Sequence, residues 1–239
     1  MSEVEQNTPT RKSFLSVKSS SPLLPNEFKF VNTPDADALV KEIFSDNYKI
    51  LTTGLKFRPK DVIIDAGANE GVFSIWMSRL FPETRIIALE PVPRTFATLE
   101  ENIRLNDCKN IEVKNVGLGP NFKQSISMVT NKSGQSGGST ACCTFNPEGH
   151  EMVDVKLMPL DAVFEYFNIR HCELLKMDIE GMEYDVLYAS KELRRVTYFC
   201  GEFHMNNRLD YESRRLDGLV NWMNKQVKIV HLEMCKMAE

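Results

Sequence analysis

The sequence predicts an α/β fold, a doubly wound and mostly parallel sheet that carries an inserted β-hairpin or flap. Two observations lead there. From residue 61 onward, short β-rich apolar runs alternate with longer segments of helical period. Strand and helix in strict alternation require right-handed crossovers and a parallel sheet covered on both faces. Residues 117–160 then interrupt the pattern with a glycine- and serine-rich stretch at 133–139, set between mild two-residue alternation at 125–129 and 152–157. That composition suits a hairpin or mobile flap.

The elements follow in order. Residues 1–29 are expected to be a flexible lead-in, since the first 26 are rich in Ser, Lys, Thr and Pro and show neither helical nor strand period. Residues 30–239 then form one domain. Thr33, Pro34 and Asp35 supply a cap, a proline for the first helical position and an early acid, which open a helix through about Phe44. Val62, Ile63 and Ile64 form a buried strand, 71–80 a helix that Pro82 stops, 85–90 a strand, 93–106 a helix and 111–116 a third strand. After the insertion come a strand at 174–177, a helix at 183–193, a strand at 196–203, an amphipathic helix at 211–224 and a last strand at 227–233.

Composition narrows the function. A chain of 239 residues with 42% hydrophobic content fills one sizeable core. With 29 Lys plus Arg against 33 Asp plus Glu, the net charge of −4 lacks the positive field that sequence-independent nucleic-acid binding needs. No apolar run approaches the roughly 20 residues that cross a bilayer, and no signal-peptide core opens the chain. A soluble, cytoplasmic protein with neither nucleic-acid nor membrane partners is therefore expected. The six cysteines include no CxxC pair and read as reduced thiols.

In an open parallel sheet, ligands collect beyond the carboxyl ends of the strands, where the strand order reverses. After the first strand stands DAGANEG, residues 65–71, whose Gly67 and Gly71 let the backbone turn sharply toward a ligand at a helix N-terminus. After the second stands Glu90 with Pro91. A carboxylate there is placed to accept hydrogen bonds from both hydroxyls of a ribose. The Asp65 to Glu90 spacing of 25 residues is about one βαβ unit. A nicotinamide dinucleotide and S-adenosylmethionine (SAM) both fit that pattern. The dinucleotide fingerprint, however, needs a glycine where this chain has Asn69, and its pyrophosphate would lie beside Glu70. A cofactor with a zwitterionic tail and a sulfonium cation suits the acid-rich turn better.

A second cluster, LLKMDIEGMEYDVL at 174–187, delivers Asp178 to the same carboxyl edge, beside the first strand. Glu183 and Asp185 read as ordinary compensation of a helix dipole. On the next strand the two-residue period places Glu202 and His204 on one face near its end. His204 or Asp178 is the expected general base, with Glu202 orienting the imidazole. Two carboxylates and one imidazole could also hold a divalent metal, which ranks second; no metal is expected.

With these residues in view, the chain resembles the FkbM family of SAM-dependent methyltransferases. The likeness runs from about residue 48 to 204. It rests on DAGANEG, on ALEP at 88–91, on Pro159-Leu160-Asp161, and above all on LLKMDIEGMEYDVL and GEFH at 201–204. The resemblance implies the Rossmann-like class I methyltransferase fold, seven strands with the last antiparallel, and O-methylation of sugars, polyketides or other secondary metabolites; this chain departs from that pattern at its end, with one strand after Asn224 where the fold has two. By position, it implies that Asp65, Gly67, Asn69 and Gly71 line the methionine part of SAM and Glu90 its ribose, with Ala68 and Pro91 also among the cofactor-binding residues. Asn115, Val116 and Gly117 would flank the adenine. N- or carboxyl-methylation, a nicotinamide oxidoreductase and a non-catalytic SAM-binding protein are the alternatives, and the acceptor is expected to be a small molecule.

Overall fold

The computed structural model describes residues 13–17, 27–44, 55–132, 148–205 and 216–236. Two short strands, β1 (Phe14–Val17) and β2 (Phe28–Val31), precede helix α1 (Ala36–Ile43). The alternating part begins with β3 (Val62–Ala66), α2 (Val72–Leu80), β4 (Arg85–Leu89), α3 (Pro93–Leu105) and β5 (Ile111–Lys114). Strands β6 (Gly117–Leu118), β7 (Lys123–Asn131) and β8 (His150–Met158) make a separate small sheet, and α4 (Leu160–Tyr166) leads back. Then follow β9 (Cys172–Met177), α5 (Glu183–Ala189), a 3-10 turn (Glu192–Arg195), β10 (Val196–Met205), α6 (Leu216–Met223) and β11 (Lys228–Lys236).

Six strands form the main sheet in the order β11-β10-β9-β3-β4-β5, every pair parallel. The strand order therefore reverses between β3 and β9. Neighbouring residues point to opposite faces. Ile64, Ile87, Leu175 and Phe199 pack with the residues of α4, α5 and α6, whereas Ile63, Ile86 and Leu174 pack with α1, α2 and β2. All seven are 0% exposed, and burying each contributes about 1.5–3 kcal/mol. The alternation of buried strands and covering helices is the doubly wound architecture that the sequence predicts. The inserted hairpin is also present, with β7 and β8 antiparallel and β6 added alongside β8; the Gly/Ser stretch at 133–139 lies outside the described residues.

Four expectations need correction. The lead-in is shorter than residues 1–29, because Phe14–Val17 pairs antiparallel with Phe28–Val31 and Phe28 and Phe30 are fully buried. Two alternating phenylalanines are too short a signal to read, and what fixes them is distant. Asn102 Oδ1 on α3 accepts the Val31 N–H (2.7 Å), and Asn106 Oδ1 accepts that of Lys29 (3.1 Å). The sheet implied by the resemblance, with a seventh antiparallel strand, is six-stranded and all parallel among the described residues. β11 occupies the free edge of β10 directly, from Tyr198 opposite Lys228 to Met205 opposite Lys236. Third, the helix after β9 ends at Ala189, not 193. Asp161 Oδ1 draws the chain out of the helix by accepting the Ser190 hydroxyl (2.6 Å) and the N–H groups of Lys191 (3.0 Å) and Glu192 (3.2 Å). Finally, α1 starts at Ala36, two residues beyond Pro34. The N-cap is Asp35, not Thr33; Thr33 Oγ1 accepts the Ala36 N–H at 3.1 Å while its hydroxyl donates to Glu70 Oε2 at 2.8 Å.

Buried charge joins the two halves of the sheet where its order reverses. Lys176 on β9 stands opposite Asp65 on β3, and its side chain is 4% exposed. Its Nζ lies 3.4 Å from Asp65 Oδ1 and 3.6 Å from Asp178 Oδ2, and donates to the Gly67 carbonyl at 2.9 Å. Asp65 Oδ2 accepts the Ser74 hydroxyl of α2 at 2.6 Å. Gly67, at φ +78°, tolerates no side chain, since a Cβ there would lie 1.7 Å from the Asp178 carbonyl oxygen. Removing one partner of a buried ion pair costs about 3–5 kcal/mol. Lys176→Met is accordingly expected to lose that much unfolding free energy in a urea titration, with Asp65→Asn in the same chain restoring part of it. An unchanged midpoint for Lys176→Met would show that the pair contributes nothing.

Candidate active site

An open cleft lies at the carboxyl ends of the strands, at the reversal point between β3 and β9. Its floor is Gly67 and Asn69 after β3, Glu90 and Pro91 after β4, and Asp178 with Glu180 after β9. Gly117 and Leu118 of β6, with Met128 and Leu157 from the hairpin sheet, form an apolar wall. A smaller hollow opens on the other side of the Gly67 turn, where Leu39, Glu42 and Ile43 of α1 face Ala68, Asn69 and Asp178. The hairpin and α1 thus wall the same glycine turn from two sides.

The turn is held open by backbone geometry. Gly67, Asn69 and Gly71 all have positive φ, at +78°, +51° and +86°, in the region where glycine is favoured and asparagine tolerated. Glu90 then clamps the turn. Its Oε2 accepts the Asn69 N–H (3.0 Å) and its Oε1 the Val92 N–H (2.8 Å). Burial pushes the Glu90 pKa up to about 7, because loss of solvation outweighs those two hydrogen bonds and the charge of Lys176. Asn69 Oδ1, at the same spot, is buried without a hydrogen-bond partner. Such an atom is costly unless a ligand or water meets it.

Across the cleft, three carboxylates converge on one imidazole. His204 comes from the end of β10 and is 7% exposed. Its Nδ1 lies 2.9 Å from Glu183 Oε1, and its Nε2 lies 3.3 Å from Glu180 Oε2 and 3.9 Å from Asp178 Oδ1. Glu183, itself fully buried, also accepts the N–H groups of Ile179 (3.2 Å) and Gly181 (3.0 Å). It therefore holds both the turn and the ring. Burial alone would lower the His204 pKa. The Glu183 hydrogen bond and the charges of Glu180, Glu183 and Asp178 overcome that and raise it to about 9.

The residues singled out from the sequence divide into three groups. Gly67, Asn69, Glu90, Pro91, Gly117 and Asp178 border the main cleft, and Ala68 borders the hollow beside α1. Asp65, Gly71 and Val116 support the site from within: Asp65 is fully buried against Ser74 and Lys176, Gly71 caps α2, and Val116 packs in the core. Asn115 turns inward, donating to the carbonyls of Glu90 (2.8 Å) and Pro91 (2.9 Å). The ring of His204 is oriented by Glu183 and not, as expected, by Glu202. The sequence reading gives no role to Lys176 or Glu180 and takes Glu183 for dipole compensation alone. A lysine inside the apolar run LLKM is the one signal that marked the first, since a charge in a buried strand demands a partner. Cys108, Cys172 and Cys200 are free thiols whose pKa values burial raises, as expected of inert reduced cysteines.

Residues 65–229 match the family model described as the methyltransferase FkbM domain. The chain is 31% identical over 185 residues to Methyltransferase 1 of Beauveria bassiana, covering 69% of this chain and 72% of that protein. It is 29% identical over 201 residues to the 31-O-demethyl-FK506 methyltransferase FkbM of Streptomyces tacrolimicus, covering 73% and 76%. Among solved structures it is similar to a precorrin-6y C5,15-methyltransferase from Geobacter metallireducens, with a TM-score of 0.41 and 17% identity over 73% of this chain and 69% of that one. The matched span begins at Asp65 on β3, runs through the whole strand-order reversal and ends within β11, and on that extent the chain belongs to the FkbM family of SAM-dependent methyltransferases.

Proposed function

We propose that the cleft binds SAM across the β3 and β4 turns and that the enzyme methylates a hydroxyl of a small molecule held on the β9 side. The observation that carries this reading is the pairing of Glu90 with the orphaned Asn69 Oδ1 on one cleft floor. Each Glu90 oxygen takes one backbone N–H, which leaves a lone pair on each for a vicinal pair of ribose hydroxyls. Asn69 Oδ1 is an acceptor suited to an ammonium group. Pro91, Gly117 and Leu118 offer an apolar slot for a purine, while Asp178 and Glu180 provide the negative field that suits a cationic cofactor. When bound, SAM supplies an electrophilic methyl group on a sulfonium sulfur.

The chain's own residues then position the acceptor. An in-line displacement gains most from holding the nucleophile in line and excluding water, and the Met128 and Leu157 wall serves the second purpose. A hydroxyl must also lose its proton as it attacks. Asp178, Glu180 and His204 form the polar group assigned to that task, acting together. The name of the Streptomyces relative specifies an O-demethyl acceptor, which supports oxygen over nitrogen.

The reading is tested by transfer of labelled methyl groups from SAM to a panel of hydroxylated metabolites. Asp178→Asn should retain S-adenosylhomocysteine binding in calorimetry and lose about 10²- to 10⁴-fold in turnover, the usual contribution of a proton-handling group. Full turnover by that variant would remove Asp178 from the reaction.

Glu90 generates a pH test. Its folded pKa, about 7, lies above the ordinary carboxyl value of 4.5, so its contribution to stability is fully present below about 4.5 and lost as pH rises through 7. Ribose binding needs the carboxylate, so S-adenosylhomocysteine affinity should run the opposite way and weaken as pH falls below about 7. Glu90→Gln should bind roughly tenfold or more weakly at pH 8 and flatten that profile. A wild-type affinity constant from pH 5.5 to 8.5 would count against ribose recognition by Glu90.

A further inference from the structure

We propose that Asp178, Glu180 and His204 form a binding site for a hard divalent cation of the Mg²⁺ or Mn²⁺ class, which presents the acceptor oxygen. One donor atom from each of the three lies within 4.8 Å of the others. Two donors at right angles around a cation, each about 2.1–2.3 Å from it, sit about 3.0–3.3 Å apart. His204 Nε2 and Glu180 Oε2 already have that separation at 3.3 Å, and Asp178 Oδ1, at 3.9 Å from the ring, needs only a small side-chain turn.

The surroundings are those of a metal site. Ligating imidazoles donate their second N–H to a carboxylate, which fixes the tautomer and aims the other nitrogen at the metal. Glu183 stands in that relation to His204 Nδ1, and its own oxygens are anchored on the backbone of the β9–α5 turn. The ring is nine-tenths buried with Nε2 aimed between the two carboxylates. Asp178 divides its oxygens, Oδ2 toward Lys176 and Oδ1 toward the ring, so binding a cation leaves the buried ion pair intact. Two carboxylate oxygens and one nitrogen match the donor preference of Mn²⁺ and Mg²⁺ better than that of a thiolate-seeking metal. Asp178 and Glu180 border the cleft, which leaves the remaining coordination positions to water and the acceptor. A hydroxyl held there would become more acidic, so these three residues would serve its deprotonation through the cation they hold, and the proton would leave to water at the open mouth of the cleft.

The cation's part in methyl transfer rests on the function proposed above; its binding does not. The test uses the full chain stripped with a chelator and titrated with Mn²⁺ alone, with free Mn²⁺ followed by electron paramagnetic resonance. S-adenosylhomocysteine binding and the circular dichroism spectrum are recorded on the same samples. One Mn²⁺ per chain is expected, weakened at least about tenfold by Glu180→Gln, by His204→Ala and by Glu183→Gln, which removes only the outer-shell carboxylate. Glu112→Gln, on the far edge strand, should bind as the wild type does. Glu180→Gln alters a cleft-side carboxylate and keeps the question decidable if His204→Ala fails to fold. A stripped wild-type chain that takes S-adenosylhomocysteine but no Mn²⁺ would overturn the site and leave the cofactor reading standing. Mn²⁺ binding that survives both Glu180→Gln and His204→Ala would overturn it as well. A chain that binds Mn²⁺ as expected but no S-adenosylhomocysteine would support the metal site and sink the cofactor reading.

Discussion

Lys176 is a cation in the middle of an apolar strand, and the geometry of the cleft depends on how its charge is satisfied. It reaches Asp65 on β3 and Asp178 beyond its own strand, and it holds the Gly67 carbonyl between them. A parallel sheet that reverses its strand order has two loops diverging at the reversal point, which opens a crevice. Here the lysine draws the two sides of that crevice to a fixed separation. Gly67 completes the arrangement, because its backbone passes so close to the Asp178 carbonyl that no side chain fits.

Around this seam the site is organised by negative charge that the protein only partly neutralises. Asp65 is offset by Lys176 and Ser74, and Glu183 by two backbone N–H groups and His204. Glu90 is held by two backbone N–H groups yet remains so poorly solvated that its proton affinity rises. Asp178 and Glu180 face the cleft with the His204 imidazole between them, and Asp178 also meets Lys176. Such a surface favours cationic ligands over pyrophosphate. That charge logic links the proposed cofactor on one side of the cleft to the proposed cation on the other.

The peripheral elements complete the walls. The hairpin sheet contributes Met128 and Leu157, so the segment that interrupts the strand–helix alternation is also the one that encloses the cleft. On the opposite side, Thr33 ties the start of α1 to Glu70, and Asn102 ties α3 to both β2 and the Glu70 carbonyl. The amino-terminal strands thereby brace the glycine turn from behind. No helix among the described residues is long and apolar enough to cross a membrane.

Much of the fold was legible in the sequence because its signals are local. Apolar runs at 62–64, 85–90 and 174–177, each followed by a turn, mark buried strands, and the glycines at 67 and 71 mark a turn that only they can make. That placed Glu90 and Asp178 at one edge, since βαβ units have a fixed hand. What the sequence by itself did not determine were the partners. Glu183, which reads as dipole compensation at a helix start, became the residue that orients His204, 21 positions away, while Glu202, the expected partner on the same strand face, did not. Asp65, read as a ligand contact, became the buried counter-charge of Lys176. Periodicity tells which face of an element a residue occupies. The choice among several carboxylates near one ring is made in three dimensions, by the turn that brings Glu183 back over β10 and by the low dielectric that makes each buried charge find its nearest opposite.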